Sequence, residues 1–361
     1  MINIAAIEYY LPKNILTNED IANEFPEWNA DKIKSKIGVE SRHFADESET
    51  ALDLAQQACE KLFTRYDKSK IDFILFCTQS PDYFLPTTAC ILQDRLDLPK
   101  NIGALDFNLG CSGFVYGLTL AKGLISIGLA KNILLVTSDT YTKFLDKNDK
   151  SNRSIFGDGA AVTIVEKDDS KADFQYVVGT DGSGFNNLIV ENGASRNTSE
   201  KPVLFMKGPK IFTFALENIP ALITETLEKN KLTLDKIDLF VFHQASSYML
   251  NYLRNLCNIP EEKFFLDMKD IGNTVSASIP IALKLAIDQG KIKEGFKVMV
   301  AGFGVGYSSL DVLRSFPFDR IKLDASFVAE IEHSEQAVAI LRSVTALGSS
   351  LDMPVLAEGI E

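Results

Sequence analysis

The chain has 361 residues, of which 46% are hydrophobic, 24% charged and 10% aromatic, a globular composition with ample length to bury a core. Its formal net charge of −12 gives no electrostatic support to nucleic-acid binding or to attraction by an anionic membrane surface. The five cysteines (Cys59, Cys77, Cys90, Cys111 and Cys257) include no CxxC pair, which speaks against a zinc cage, a thioredoxin-like centre or a disulfide scaffold.

The N-terminus lacks the basic and apolar regions of a cleavable leader and reads as a first strand. Short apolar runs then alternate with helical patterns over the first 300 residues or so, the mark of a layered α/β architecture. Strands are predicted at 70–76 and 104–107, followed by a helix over 111–130 and a strand at 132–136. The helix carries Lys122 and four glycines, so it reads as buried in a core; a membrane span wants roughly 18 or more uncharged apolar residues. A cytoplasmic location is expected by default. A tight turn at 156–161 leads into a strand at 162–165. Further on come a strand at 238–242, a helix over 275–290 and a strand at 296–300.

These elements repeat. Lys70-Ile71-Asp72-Phe73-Ile74-Leu75-Phe76 returns as Lys236-Ile237-Asp238-Leu239-Phe240-Val241-Phe242, and the strand at Asn132 returns at Phe296 with nearly the same displacement. Two copies of one βαβ-rich half, 1–165 and 166–308, would face each other across a central crevice. Near residue 310 the composition changes: residues 1–310 hold 27 Lys and 6 Arg, whereas 311–361 hold 1 Lys and 3 Arg and no asparagine. The segment 309–361 therefore reads as a fragment of different history.

Cys111, in Asn108-Leu109-Gly110-Cys111-Ser112-Gly113, falls on a strand-to-helix turn. Unpaired N–H groups and the positive helix end would favour a thiolate there, and the flanking glycines would admit a substrate. That makes it a candidate nucleophile, against the alternative of a small buried hydrophobe. The other four cysteines lie in apolar patterns and are expected in the core. His243 ends the 238–242 strand and is either an acid/base or oxyanion donor, or structural. His43, in a polar loop, and His333, in the tail, are expected at the surface. Asn273, in Gly272-Asn273-Thr274, either caps the following helix or donates to a developing enolate. Phe303-Gly304-Val305-Gly306 and Phe156-Gly157-Asp158-Gly159 lack a phosphate-cradle pattern and by themselves indicate turns.

Taken together with Gly38-Val39-Glu40-Ser41-Arg42-His43 and Pro86-Thr87-Thr88-Ala89-Cys90, these segments resemble the thiolase-like condensing enzymes, nearest to 3-oxoacyl-(acyl carrier protein) synthase III, in order and spacing over residues 1 to about 308. The resemblance implies two stacked α/β halves with α-β-α layering, a homodimer, and no metal or tightly bound cofactor. Its substrates would be acyl-CoA or acyl-carrier protein, with acyl carrier protein as partner. Cys111 would take the acyl group from a thioester. His243 and Asn273 would hydrogen-bond the enolate formed as malonyl-carrier protein loses carbon dioxide, and the N–H groups of Cys111 and Gly306 would form the oxyanion hole. Lys32, Lys36 and Arg153 stand where the family uses a tryptophan and arginines against CoA. Lysine keeps the charge but loses stacking and bidentate geometry. Ser246 and Leu85 also depart from the pattern, which favours a specialised paralogue. Acyl transfer to a hydroxyl or amine without condensation, or an inactive fusion, are the competing readings.

The tail resembles part of an EAL-type cyclic-di-GMP phosphodiesterase barrel, through Phe316-Pro317-Phe318-Asp319, Ile321-Lys322-Leu323-Asp324 and Ala357-Glu358-Gly359-Ile360-Glu361. The first half of such a barrel is absent, and Ala301-Gly302 replaces the metal-binding aspartates, so no phosphodiesterase activity and no role for Lys322 or Glu358 is expected. Residues 310–316 fit a replacement strand and a helix equally.

Overall fold

The computed structural model describes residues 1–170 and 173–303, together with the backbone of two short strands at 321–323 and 355–357. The chain divides into two compact units, Met1–Tyr307 and Ser308–Glu361. Gly306, His333, Glu358 and the ambiguous stretch 310–316 lie outside the described residues.

The first unit begins with β1 (Ile2–Tyr10), β2 (Asn14–Thr17), α1 (Asn18–Glu24), α2 (Ala30–Ile37) and β3 (Ser41–Phe44). Next come α3 (Ala51–Phe63), β4 (Phe73–Cys77), α4 (Thr88–Arg95), β5 (Gly103–Phe107), α5 (Gly113–Ser126), β6 (Asn132–Asp139), α6 (Lys150–Ile155) and β7 (Gly159–Lys167). Local chemistry sets several boundaries. Thr17 with Asp20 and Thr50 with Asp53 form capping boxes that start α1 and α3. Gly38, at φ 79°, ends α2 in the left-handed conformation that other residues avoid.

The unit continues with β8 (Leu188–Val190), β9 (Leu204–Met206), α7 (Gly208–Lys229), β10 (Leu239–Phe242), α8 (Ser247–Leu256), β11 (Phe264–Phe265), α9 (Ser278–Asp288) and β12 (Val298–Ala301). In the second unit β13 (Ile321–Leu323) pairs in parallel with β14 (Val355–Ala357).

The main sheet has the order β1-β7-β6-β4-β5, and a second sheet has the order β11-β10-β12. Within the first, β5, β4 and β6 run parallel, as do β11, β10 and β12 in the second. The two triplets therefore share order and direction, at the displacement seen in the sequence. Helices α5 and α9 lie between the sheets: Phe114, Leu118, Ile279 and Leu283 pack with Leu75 and Leu135 of one and Leu239 and Val241 of the other. Helices α3 and α4 cover the opposite face of the main sheet. Strands buried on both faces, such as Phe73–Cys77, read as continuous apolar runs for this reason.

Some expectations are corrected. The helix predicted over 111–130 is shorter, Gly113–Ser126, and the chain turns beyond it at Gly128, φ 75°. His43 belongs to β3 and is half-buried, with Nδ1 2.6 Å from the Pro12 carbonyl oxygen, because antiparallel pairing with β2 draws that segment into a two-stranded sheet. Of the four cysteines expected in the core, Cys59 and Cys77 are buried, Cys257 is intermediate and Cys90 is exposed, on the outer side of α4.

Arg42, in β3, is fully buried and donates to the Leu16 carbonyl (3.1 Å), Asn18 Oδ1 (2.6 Å) and the Ser154 carbonyl (2.8 Å). Replacing it with an apolar side chain strands these acceptors. Arg42→Leu is expected to lower stability by about 2–4 kcal/mol, read from urea unfolding. A loss under about 1 kcal/mol would contradict the assignment of Arg42 as the tie between the β2–β3 sheet and α6.

Candidate active site

Cys111 follows β5 and precedes α5, on the turn anticipated from sequence. It packs at the margin of an apolar cluster formed by Tyr141, Phe156, Leu204 and Val275. Gly302, just beyond β12, approaches the same turn from the other half: a Cβ there would lie 2.7 Å from the Cys111 carbonyl oxygen and 2.9 Å from Ser112 Cα. Backbone meets backbone at that point, and only glycine fits.

The thiol's electrostatics correct the sequence expectation. Burial pushes the Cys111 thiol up to about 12, and the charge of Asp139 adds to the effect. Desolvation therefore favours the thiol in the resting chain.

His243 follows β10, its N–H bonded to the Ala301 carbonyl at 2.8 Å. It is 1% exposed, and Nδ1 lies 2.6 Å from Ser278 Oγ at the start of α9. Burial holds its pKa down, at about 3, with a hydrogen bond to the Val275 backbone acting weakly in the other direction. The imidazole is neutral at any ordinary pH. Phe303 meets the ring edge-on, centroids 5.3 Å apart.

Asn273 is also buried, and its backbone is stitched to the Phe156 turn on both sides. Asn273 N–H donates to the Ile155 carbonyl (2.9 Å), and its own carbonyl accepts from Gly157 N–H (3.0 Å). Gly157 and Gly272 permit this approach, since a Cβ on either would fall within 3 Å of a facing carbonyl oxygen. Asn273 Oδ1 accepts from Val275 N–H at 2.9 Å, so it caps the turn Val275–Ala277, and the carboxamide nitrogen is the end turned from that bond. Val275 adopts φ 54°, rare and strained for a β-branched residue. It lies among the three candidates: its side chain shares a cluster with Cys111, its N–H is held by Asn273, and its backbone is near enough to His243 to act on the imidazole.

A cavity of about 1350 Å³ opens onto Cys111 and Phe303, with walls that include Tyr83, Leu188, Ile219 and Leu222. His243 and Asn273 do not line it. Lys32 and Lys36 are exposed on α2 and also lie off its wall, as does Arg153, which forms a two-point ion pair with Glu24 at 2.6 and 3.0 Å. Sequence reasoning passed over Trp28, which lies under Lys150 Nζ, 5.5 Å from the ring centroid. As the single tryptophan of the chain, eight residues before Lys36, it was a signal available to find. Asp139, at the end of β6, was also missed, being one of many acidic residues in the sequence.

Two predictions follow from this geometry. Gly302→Ala should slow acylation of Cys111 at least tenfold, measured by mass spectrometry of the protein exposed to an acyl thioester; an unchanged rate would show that the backbones can part. In the unfolded chain His243 titrates near its ordinary 6.5, against about 3 when folded, so the unfolded state binds more protons between those values. His243 thus stabilises the fold above pH 6.5, and this contribution falls away on acidification by up to about 1 kcal/mol per pH unit. His243→Gln should flatten the loss of stability between pH 6 and 4 in urea titrations; an equally steep loss would place the acid sensitivity elsewhere.

The comparisons with known proteins agree with one another. The family described as 3-oxoacyl-[acyl-carrier-protein (ACP)] synthase III matches residues 105–182, and its C-terminal counterpart matches 227–313. The beta-ketoacyl-[acyl-carrier-protein] synthase III 2 of Halalkalibacterium halodurans is 35% identical over 310 residues, 84% of this chain and 93% of the relative. A Clostridium perfringens beta-ketoacyl-[acyl-carrier-protein] synthase III is 36% identical over 307 residues, covering 82% and 94%. Among solved structures, a 3-oxoacyl-(acyl-carrier-protein) synthase III superposes with TM-score 0.83 at 43% identity, covering 85% of this chain and 97% of that one. The beta-ketoacyl-[acyl carrier protein] synthase III of Thermus thermophilus gives 0.77 at 34%, covering 83% and 94%. With the fold, the layered sheets and this degree of identity over nearly the whole length of its relatives, the chain belongs to the 3-oxoacyl-(acyl carrier protein) synthase III family.

Proposed function

We propose that the chain works as a condensing acyltransferase in which Cys111 carries the acyl group and His243 and Asn273 promote decarboxylation of a malonyl thioester. The observation that supports this most is the meeting of all three around Val275, next to a cavity large enough for an acyl chain. In the acylation step the Cys111 sulfur attacks the thioester carbonyl, its proton leaves with the departing thiol, and a new thioester forms. Backbone N–H groups of Cys111 and Gly306 are the proposed donors to the intermediate's oxyanion.

In the second step, loss of carbon dioxide from the malonyl group places negative charge on its thioester oxygen. A neutral imidazole suits that position as a hydrogen-bond donor. Ser278 Oγ, which accepts from Gln244 N–H at 3.3 Å, has its own hydrogen to give to His243 Nδ1, and the ring hydrogen then sits on Nε2. The Asn273 NH₂ group is the second donor. The resulting carbanion attacks the acyl thioester and releases Cys111. Phe303 lines the cavity and meets the imidazole edge-on, so it links His243 to the cavity wall.

Acyl-CoA or acyl-carrier protein is the proposed donor, acyl carrier protein the proposed partner, and the cytoplasm the proposed setting. Lys32 and Lys36 are proposed phosphate contacts, along with Arg153 where substrate competes with Glu24; Trp28 adds a stacking surface to this set. The exposed edge of β5 and the exposed Phe84 and Leu85 support a homodimer. The halves 1–165 and 166–308 are proposed to be an ancestral duplication, and 309–361 an appended fragment without phosphodiesterase activity. Among the described residues no helix is long and apolar enough to cross a membrane.

Incubation with a panel of acyl-CoAs should yield an intact-mass adduct on Cys111 that Cys111→Ser abolishes. His243→Ala and Asn273→Ala should still be acylated yet release carbon dioxide from malonyl-carrier protein at least a hundredfold more slowly. Equal labelling of the serine variant, or acyl transfer to an alcohol or amine with no carbon dioxide release, would overturn the assignment.

A further inference from the structure

At the end of β6 a carboxyl group is sealed between the two halves. Asp139 is 1% exposed, and its Oδ1 accepts from Gln79 N–H at 2.7 Å and from Thr78 Oγ1 at 3.4 Å. Its Oδ2 accepts a short hydrogen bond from Ser276 Oγ, in the turn Val275–Ala277 that Asn273 caps. The carboxyl therefore spans the seam, with two bonds to the loop after β4 and one to the turn that joins the three candidate residues. The start of α5, two residues past Cys111, presses on the same point: a Cβ at Gly113 would lie 2.3 Å from Cys77 Sγ and 3.3 Å from Ser276 Cβ. Gln79 continues the contact outward, accepting from the Tyr141 hydroxyl and donating to Asn108 Oδ1 at 3.0 Å, on the cavity wall.

No basic side chain bonds to Asp139 among the described residues. The titratable groups that face it are Cys77 from β4, Cys111 from the turn before α5 and Tyr141 from the segment after β6, and its charge discourages ionisation of all three. Burial raises Asp139 itself to about 7, in spite of hydrogen bonds from Gln79, Ser276 and Thr78 that favour its charged form. Neither Cys77 nor the Tyr141 hydroxyl has a part in the steps above.

We propose that Asp139 is a positioning residue: its carboxyl fastens the Asn273 turn to the half that carries the nucleophile, and its charge sets the pH at which the Cys111 sulfur becomes reactive. With the carboxyl neutral, the clamp persists and no negative charge opposes a thiolate beside it. With the carboxyl ionised, the second negative charge must form against the first, in a site of low dielectric. This inference rests on Cys111 being the nucleophile.

The test is the rate of Cys111 alkylation by iodoacetamide, resolved by peptide mass spectrometry, from pH 5 to 10, on the full chain. For two coupled groups the logarithm of the rate should climb, level near pH 7 as Asp139 ionises, and climb again. Asp139→Asn, which keeps the shape and most of the bonds, should remove the shoulder and raise the rate at pH 8 at least tenfold. A merely structural residue would shift neither feature in that direction. A wild-type profile that rises as a single titration overturns the proposal even if the variant does not fold. So does an asparagine variant with the wild-type shoulder and a rate within twofold; that result leaves Cys111 in place as nucleophile. Alkylation that spares Cys111 at every pH overturns this inference and the nucleophile assignment together.

Discussion

The active region depends on two backbones lying closer than any side chain allows. Gly302 abuts the carbonyl of Cys111, while Gly157 and Gly272 let the Phe156 turn lie against the Asn273 turn. These contacts bring segments more than a hundred residues apart into one rigid seam. Interiors pack at crystal-like density, so the positions of Cys111, His243 and Asn273 are set by the fit of the halves and not by flexible loops. Val275 is the clearest sign of that constraint. A β-branched residue held at positive φ persists only where its surroundings leave no alternative, here Asn273 on its N–H and an apolar cluster on its side chain.

The same burial shapes the chemistry. Taking polar groups out of water disfavours charge, so the imidazole is kept neutral, the thiol protonated and Asp139 readily protonated. A neutral imidazole is a poor base at rest but a good donor toward an oxygen that becomes negative, and its hydrogen bond gains strength in a dry site. The site thus suits transient charge that appears only with substrate.

Reading the sequence went furthest where the signal is local and periodic. Apolar runs such as Phe73–Cys77, the displacement that relates β4 to β10, and the turn residues around Cys111 all follow from short stretches of chain, and the repeated strands do form two parallel triplets of the same order. Cys111, His243 and Asn273 stood out because each falls at the end of such a pattern. Helix ends were less legible: α5 starts two residues after Cys111 because capping and packing, not hydrophobicity, determine where a helix begins. The exposure of Cys90 and the inclusion of His43 in a strand were likewise invisible, since both depend on neighbours remote in the chain.

What the sequence determined by itself is the kind of protein: alternating buried strands and helices, a repeated strand pattern, and a cysteine, a histidine and an asparagine placed at strand and helix ends. Tertiary structure alone decided their electrical state and their partners. A thiol at a helix start was expected to ionise easily, and it does not, because desolvation is a property of the surrounding three-dimensional packing. Asp139 meets Ser276 for the same reason. Their separation of 137 positions carries no pattern, and only tertiary packing turns an ordinary aspartate into a buried partner of that serine.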